Sequence, residues 1–205
     1  KIIRSPKNQK LFKINRNIVL GADVENKENK DFALGHEIDG GFQQYLKINY
    51  KILERTPHLV TSKKINYDSA SLTEPLACCL NGFEQINFKP YSDVAIFGAG
   101  PIGQIIAKLS VYFKSNKVFL IDKSKYKLRS GVKDKRIIKL TFNQLKKIKN
   151  KDKVKFLFVA CSSIEAQKQA IEFASNDASI NLFAGVKKVG LSVSEVAMIP
   201  NKQCK

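Results

Sequence analysis

The sequence predicts an α/β chain whose main feature is a doubly wound parallel sheet, incomplete at its end and preceded by part of a β-rich domain. Three observations predict it. From Val94 onward, short apolar runs alternate with segments of helical periodicity. The first such junction carries a cluster of glycines. The first 60 residues, by contrast, lack strong periodicity and hold only short apolar pieces between polar turns.

The elements follow in order. Ile18–Leu20 and Tyr45–Ile48 predict short strands, with Gly40-Gly41 as a turn before Phe42 and Tyr45. Asn66–Ser71 predict a turn leading into a helix over Leu72–Phe83. Phe88–Asp93, containing Pro90, is a polar linker. Val94–Phe97 is a short apolar run closed by Gly98, the pattern of a strand buried on both faces. Pro101 sits where the first turn of a helix accepts proline, and Ile102, Ile105, Ile106, Leu109 and Phe113 recur at helical spacing.

Further strands are predicted at Val118–Ile121, Ile137–Leu140, Phe156–Ala160 and Ile180–Ala184. A lysine-rich helix should follow the second of these, and a helix over Ala166–Ala174 should precede the last. Such alternation implies right-handed crossovers within one parallel sheet. A sixth strand is not clearly supplied by Leu191–Ile199. The expected domains are therefore 1–85, β-rich and partial, and 86–205, the truncated parallel-sheet domain.

Composition narrows the function. With 205 residues and 43% hydrophobic content the chain can bury a real core. No run of about 18 apolar residues is present, so neither a spanning helix nor a membrane partner is expected. The chain starts with Lys rather than Met, and Lys1–Lys10 has no apolar signal-peptide core. It is therefore expected to begin inside a longer gene product.

The formal net charge is +18, almost all from lysine; arginine occurs only at Arg4, Arg16, Arg55, Arg129 and Arg136. Nucleic-acid sites favour planar, bidentate arginine and interleaved aromatics. The lysines here are scattered, and only Lys146–Lys155 is dense. The charge is read as a solvated, lysine-biased surface, with no nucleic-acid partner. Cys78, Cys79, Cys161 and Cys204 form no C-x-x-C pair. Adjacent Cys78 and Cys79 read as core residues, and the pattern suits a reducing cytoplasm.

The glycine cluster is Gly98-Ala99-Gly100-Pro101-Ile102-Gly103, a G-x-G-x-x-G between an apolar strand and an amphipathic helix, which is the context the motif requires. Gly98 permits the turn out of the strand, Gly100 admits a pyrophosphate, and Gly103 lets helix and sheet approach closely. The helix N-terminus offers unpaired N–H groups and partial positive charge. Asp122 ends the second predicted strand, where a carboxylate accepts hydrogen bonds from an adenosine ribose and repels a 2′-phosphate. These features predict a Rossmann-type site for NAD rather than NADP. Lys127 either covers the same ribose or is simply solvated.

At these residues the sequence resembles the medium-chain, zinc-type alcohol and polyol dehydrogenases, including sorbitol (L-iditol 2-) dehydrogenases. Val94–Asp122 is similar to their coenzyme domain, and Ser69–Cys78 is similar to the segment that precedes it. Gly40-Gly41-Phe42-x-x-Tyr45 resembles their glycine-glycine-aromatic signature. Val159–Ser163 and Asn181–Val186 resemble the fourth and fifth strands with their cofactor-facing loops.

The resemblance implies a partial GroES-like catalytic domain ahead of the Rossmann domain. It places Cys161, Ala184, Gly185 and Val186 beside the coenzyme. It implies a catalytic zinc, with Glu74 of the Glu-Pro-Leu motif and His36 and Glu37 of Gly-His-Glu as metal-site residues. A Lewis-acidic zinc orients an alkoxide for hydride loss. The implied reaction moves a hydride between NAD and a secondary alcohol or ketone of a polyol or sugar, in an enzyme that is a homo-oligomer at full length.

Departures keep alternatives open. Gly-His-Glu stands directly before the glycine-glycine-aromatic signature, whereas the family separates the two. No upstream cysteine ligand is present, and Glu25–Lys30 stands where a four-cysteine structural-zinc lobe would be. Glu74 reads equally as a helix-start carboxylate. The residues of a proton relay cannot be placed. A zinc-free quinone or enoyl reductase of the same superfamily and a degenerate, non-catalytic NAD-binding protein are the rival readings.

Overall fold

The computed structural model describes residues 18–20, 23–24, 32–35, 38–41, 43–53, 55, 58–60, 64–148 and 153–184. The chain divides into two compact units, Lys1–Ala77 and Cys78–Lys205.

The described part of the first unit holds two small antiparallel pairs. β1 (Ile18–Leu20) pairs with β4 (His58–Val60), and β2 (Asp23–Val24) pairs with β3 (Phe32–Ala33). The strand expected at Tyr45–Ile48 is not formed. This stretch runs irregularly into α1 (Tyr50–Leu53), and Tyr45 is 71% exposed. Leu46 and Ile48 are half-buried and Lys47 exposed, but no strand pairs with the stretch among the described residues, so the alternation does not become a ladder. α2 (Tyr67–Ser71) starts where Asn66 Oδ1 accepts the Ser69 N–H at 2.7 Å, an N-cap that fixes the expected turn.

α3 (Thr73–Gln85) crosses the boundary between the units. Only one of its two adjacent cysteines is a core residue: Cys79 is buried and Cys78 exposed. Successive residues on a helix point about 100° apart, so both cannot face one core.

The second unit carries a five-stranded parallel sheet. Its strands are β5 (Val94–Phe97), β6 (Val118–Ile121), β7 (Ile137–Leu140), β8 (Val154–Val159) and β9 (Ala174–Leu182), in the order β7-β6-β5-β8-β9. This is the doubly wound order less a sixth strand; the residues considered for that strand, 191–199, lie outside the described ones. The crossovers contain α4 (Pro101–Tyr112), α5 (Lys125–Ser130), α6 (Phe142–Leu145) and α7 (Ile164–Phe173). The lysine-rich helix expected after β7 is not formed as such: the helical turn there, α6, holds no lysine, and Lys146 is already its C-cap. The last strand starts earlier than expected because the α7 cap residue, Ala174, is already its first residue.

Period-two alternation sends side chains to both faces of the sheet. On one face Val94, Ile96, Val118, Leu120, Phe156 and Phe158 pack with Cys79, Phe83, Ile106 and Leu128. On the other, Ala95, Phe97, Phe119, Leu157 and Val159 pack with Leu145, Ala166, Ala170 and Phe173. Both faces are covered, so β5 and β6 are apolar and buried at every position. Among the described residues no helix is long and apolar enough to cross a membrane.

Candidate dinucleotide-binding site

The site lies at the carboxyl ends of β5, β6 and β8, where a doubly wound sheet opens a crevice at its switch point. β5 ends at Gly98, whose φ is +111°, in the left-handed half of conformational space that glycine alone enters readily. The Gly98 N–H donates to the Ile121 carbonyl at 2.7 Å, so the turn stays attached to β6. A Cβ at Gly98 would also lie 2.9 Å from the Ala160 carbonyl oxygen, so β8 crowds the same point.

Gly100 caps α4 in an extended conformation, without a side-chain capping bond, and Pro101 follows at the first helical position. A Cβ at Gly100 would meet nothing within 4 Å, so this side of the turn has room for a ligand. Gly103 is the opposite case. A Cβ there would overlap the Gly98 carbonyl oxygen, so helix and turn touch backbone to backbone. Ile102, between them, is half-buried and packs on the core.

Asp122 directly follows β6 and is 8% exposed. Its Oδ2 accepts the Ala99 N–H at 2.8 Å and its Oδ1 accepts the Ser124 N–H at 2.7 Å. The carboxylate therefore joins the glycine turn to the start of α5. An ionised carboxylate has about four acceptor positions, so these two bonds leave capacity for hydroxyl donors. Lys127 lies on α5, exposed, with its N–H directed to the Ser124 Oγ at 3.4 Å.

Cys161 follows β8, and the Ala160 N–H before it donates to the Phe97 carbonyl at 2.8 Å. Burial pushes the Cys161 thiol up from its usual pKa, and the Asp122 carboxylate adds to that. A hydrogen bond from the Ser163 backbone and the charges of Lys127 and Lys123 oppose it. Cys161 thus stays a thiol near neutral pH and shares the electrostatic surroundings of Asp122 and Lys127. Ala184 stands just past β9, its N–H donating to the Val159 carbonyl at 3.2 Å.

The structure therefore brings Gly98, Gly100, Pro101, Gly103, Asp122, Lys127 and Cys161 to one end of the sheet. Gly185 and Val186 lie outside the described residues, as do His36 and Glu37. Glu74 occupies the first turn of α3. Among the described residues no three of His, Cys, Asp or Glu gather around a point that could hold a metal ion. Glu74 alone does not make a zinc centre.

One residue of the site escaped the sequence reading. Gln104, in the first turn of α4, donates from Nε2 to the Ala99 carbonyl at 3.1 Å and accepts the Val132 N–H on Oε1 at 2.9 Å. Its only trace in the sequence is a polar residue between Gly103 and Ile105, which a helical pattern assigns to solvent.

Comparison with known proteins agrees with this geometry. No protein-family profile matches the chain. It is 34% identical over 77 residues to D-arabinitol dehydrogenase 1 of Uromyces fabae, covering 38% of this chain and 20% of that protein. It is 29% identical over 106 residues to D-xylulose reductase A of Aspergillus oryzae, covering 52% of this chain and 28% of that one. The matched stretch is thus less than a third of either relative.

Among solved structures, 2R,3R-butanediol dehydrogenase from Bacillus subtilis superposes with a TM-score of 0.77 at 14% identity, over 98% of this chain and 60% of that one. Galactitol-1-phosphate dehydrogenase from Escherichia coli gives 0.67 at 18% identity, over 87% and 52%. The fold is that of these dehydrogenases, and the resemblance to alcohol and polyol dehydrogenases read in the sequence is borne out.

Proposed function

We propose that this chain, similar to the zinc-type polyol dehydrogenases, is the coenzyme-binding part of such an enzyme together with a portion of its catalytic domain. The whole protein would move a hydride between NAD and a secondary alcohol or ketone of a polyol or sugar. The observation that carries the reading is the Asp122 carboxylate, held by the Ala99 and Ser124 N–H groups beside a glycine turn with open space at Gly100.

A bound nicotinamide dinucleotide supplies the hydride chemistry; the chain supplies binding and orientation. The N-terminus of α4 takes the pyrophosphate, favoured by its unpaired N–H groups and dipole. Asp122 accepts the ribose hydroxyls and disfavours a 2′-phosphate, with Lys127 over the same ribose. Cys161 and Ala184, and on the family resemblance Gly185 and Val186, are the residues proposed beside the coenzyme. One similar structure, from Escherichia coli, was solved with NADH, and another, from Sinorhizobium meliloti, with NADP.

Glu74, His36 and Glu37 are the proposed metal-site residues of this chain, on the strength of the family resemblance. The domain division at residue 85, a homo-oligomeric full-length enzyme and the absence of a nucleic-acid partner belong to the same reading. The cysteines include no C-x-x-C pair, a pattern that suits a reducing compartment, and the cytoplasm is the location proposed.

A fluorescence titration of the folded chain with NADH and NADPH tests the coenzyme site. NADH should bind the more tightly, and Asp122→Asn should cut that preference about tenfold, the effect of losing roughly 1.4 kcal/mol of charge discrimination. A folded chain that binds neither dinucleotide ends the reading. Equal affinity in the unaltered chain removes the preference for NAD.

A further inference from the structure

The Gln104 side chain bonds to three backbone groups on two segments. Nε2 donates to the Ala99 carbonyl at 3.1 Å and reaches the Lys127 carbonyl at 3.4 Å, while Oε1 accepts the Val132 N–H at 2.9 Å. Two carbonyls against the nitrogen and one N–H against the oxygen leave a single amide orientation that satisfies every partner. Gly131 is fitted to this side chain: a Cβ there would overlap the Gln104 amide.

Ala99 is consequently held at both its polar groups, its N–H by Asp122 and its carbonyl by Gln104. In a planar trans peptide the carbonyl of one residue and the N–H of the next point in opposite directions, and no cis peptide occurs among the described residues. Fixing the Ala99 carbonyl therefore fixes the direction of the Gly100 N–H. That N–H makes no hydrogen bond among the described residues, and Gly100 borders open space.

We propose that Gln104 is a positioning residue for the pyrophosphate of the dinucleotide: its amide holds the Ala99–Gly100 peptide so that the Gly100 N–H is set in place before the ligand arrives. The proposal rests on the coenzyme reading of the site and adds a residue to it. Donors fixed in advance lose less on binding than donors that must be ordered. The bonds to the Lys127 carbonyl and the Val132 N–H in turn hold the Gln104 amide in the orientation that meets Ala99.

The test compares ligands that do and do not carry the pyrophosphate. Gln104→Met keeps the length of the side chain and removes its amide, and Gly131→Ala displaces the amide without altering the glycine turn. NADH is followed by fluorescence, and ADP and adenosine by NMR titration, beside thermal melting. Either variant should weaken NADH and ADP about tenfold, the scale of one lost hydrogen bond. Adenosine affinity should change by less than about twofold, because it makes no phosphate contact.

If one variant fails to fold, the other carries the test. NADH and ADP affinities within about twofold of the unaltered chain, or adenosine weakened as much as ADP, would overturn the role of Gln104 alone. An unaltered, folded chain that binds neither NADH nor ADP would overturn this role and the coenzyme reading together.

Discussion

The parallel sheet of residues 94–182 and the short antiparallel pairs between residues 18 and 60 use similar apolar residues but hold them differently. In β5 and β6 every residue is buried, and side chains reach hydrophobic clusters on both faces. In β1 every residue is only half-buried, and its pairing with β4 is three residues long. A central parallel strand draws stability from two layers of helices at once. A short antiparallel pair depends mainly on its own ladder and whatever covers one side. Burial on two faces, rather than apolar content, distinguishes the two regions.

The comparison breaks most readily at Phe158. This side chain is fully buried on β8, with its ring 4.6 Å from that of Phe83. Phe158→Ala should cost about 4 kcal/mol in urea unfolding followed by circular dichroism. A cost near zero would mean that the sheet is not the stabilising core. Gly103→Ala should cost about 2 kcal/mol by the same measurement, because the added methyl meets the Gly98 carbonyl oxygen. It should weaken NADH binding in parallel. Val19→Ala, on half-buried β1, should cost less than about 1 kcal/mol. A loss as large as that of Phe158→Ala would erase the contrast.

The same difference decides what could be read from the residues. Val94–Phe97 and Val118–Ile121 are strands at the expected residues, because an unbroken apolar run is what burial on two faces demands; Ile137–Leu140 is also a strand at its expected residues, though half-buried and interrupted by Lys139. The glycine turn and Asp122 were legible because their spacing is imposed by a strand–turn–helix–strand path. Tyr45–Ile48 misled, since a short alternating pattern says nothing about whether a partner strand exists. Cys78 misled because residue type was read without helix phase. Gln104 was hidden for a different reason. Its partners are the backbone of Ala99 and Val132, and a backbone partner leaves no mark on residue identities.

The pairing of β8 with β9 is not continuous. Val154 faces Ala174 and Phe156 faces Ser179, so more chain passes along β9 than along β8, with Asp177 at φ +59° within the excess. Such a bulge is slack in an otherwise taut ladder. Beyond the excess, Ile180 and Leu182 face Leu157 and Val159 in regular parallel register. The strand thus takes up its excess residues between Ala174 and Ser179, with Ala178 among them still buried in the core, before it regains the register that leads to Ala184.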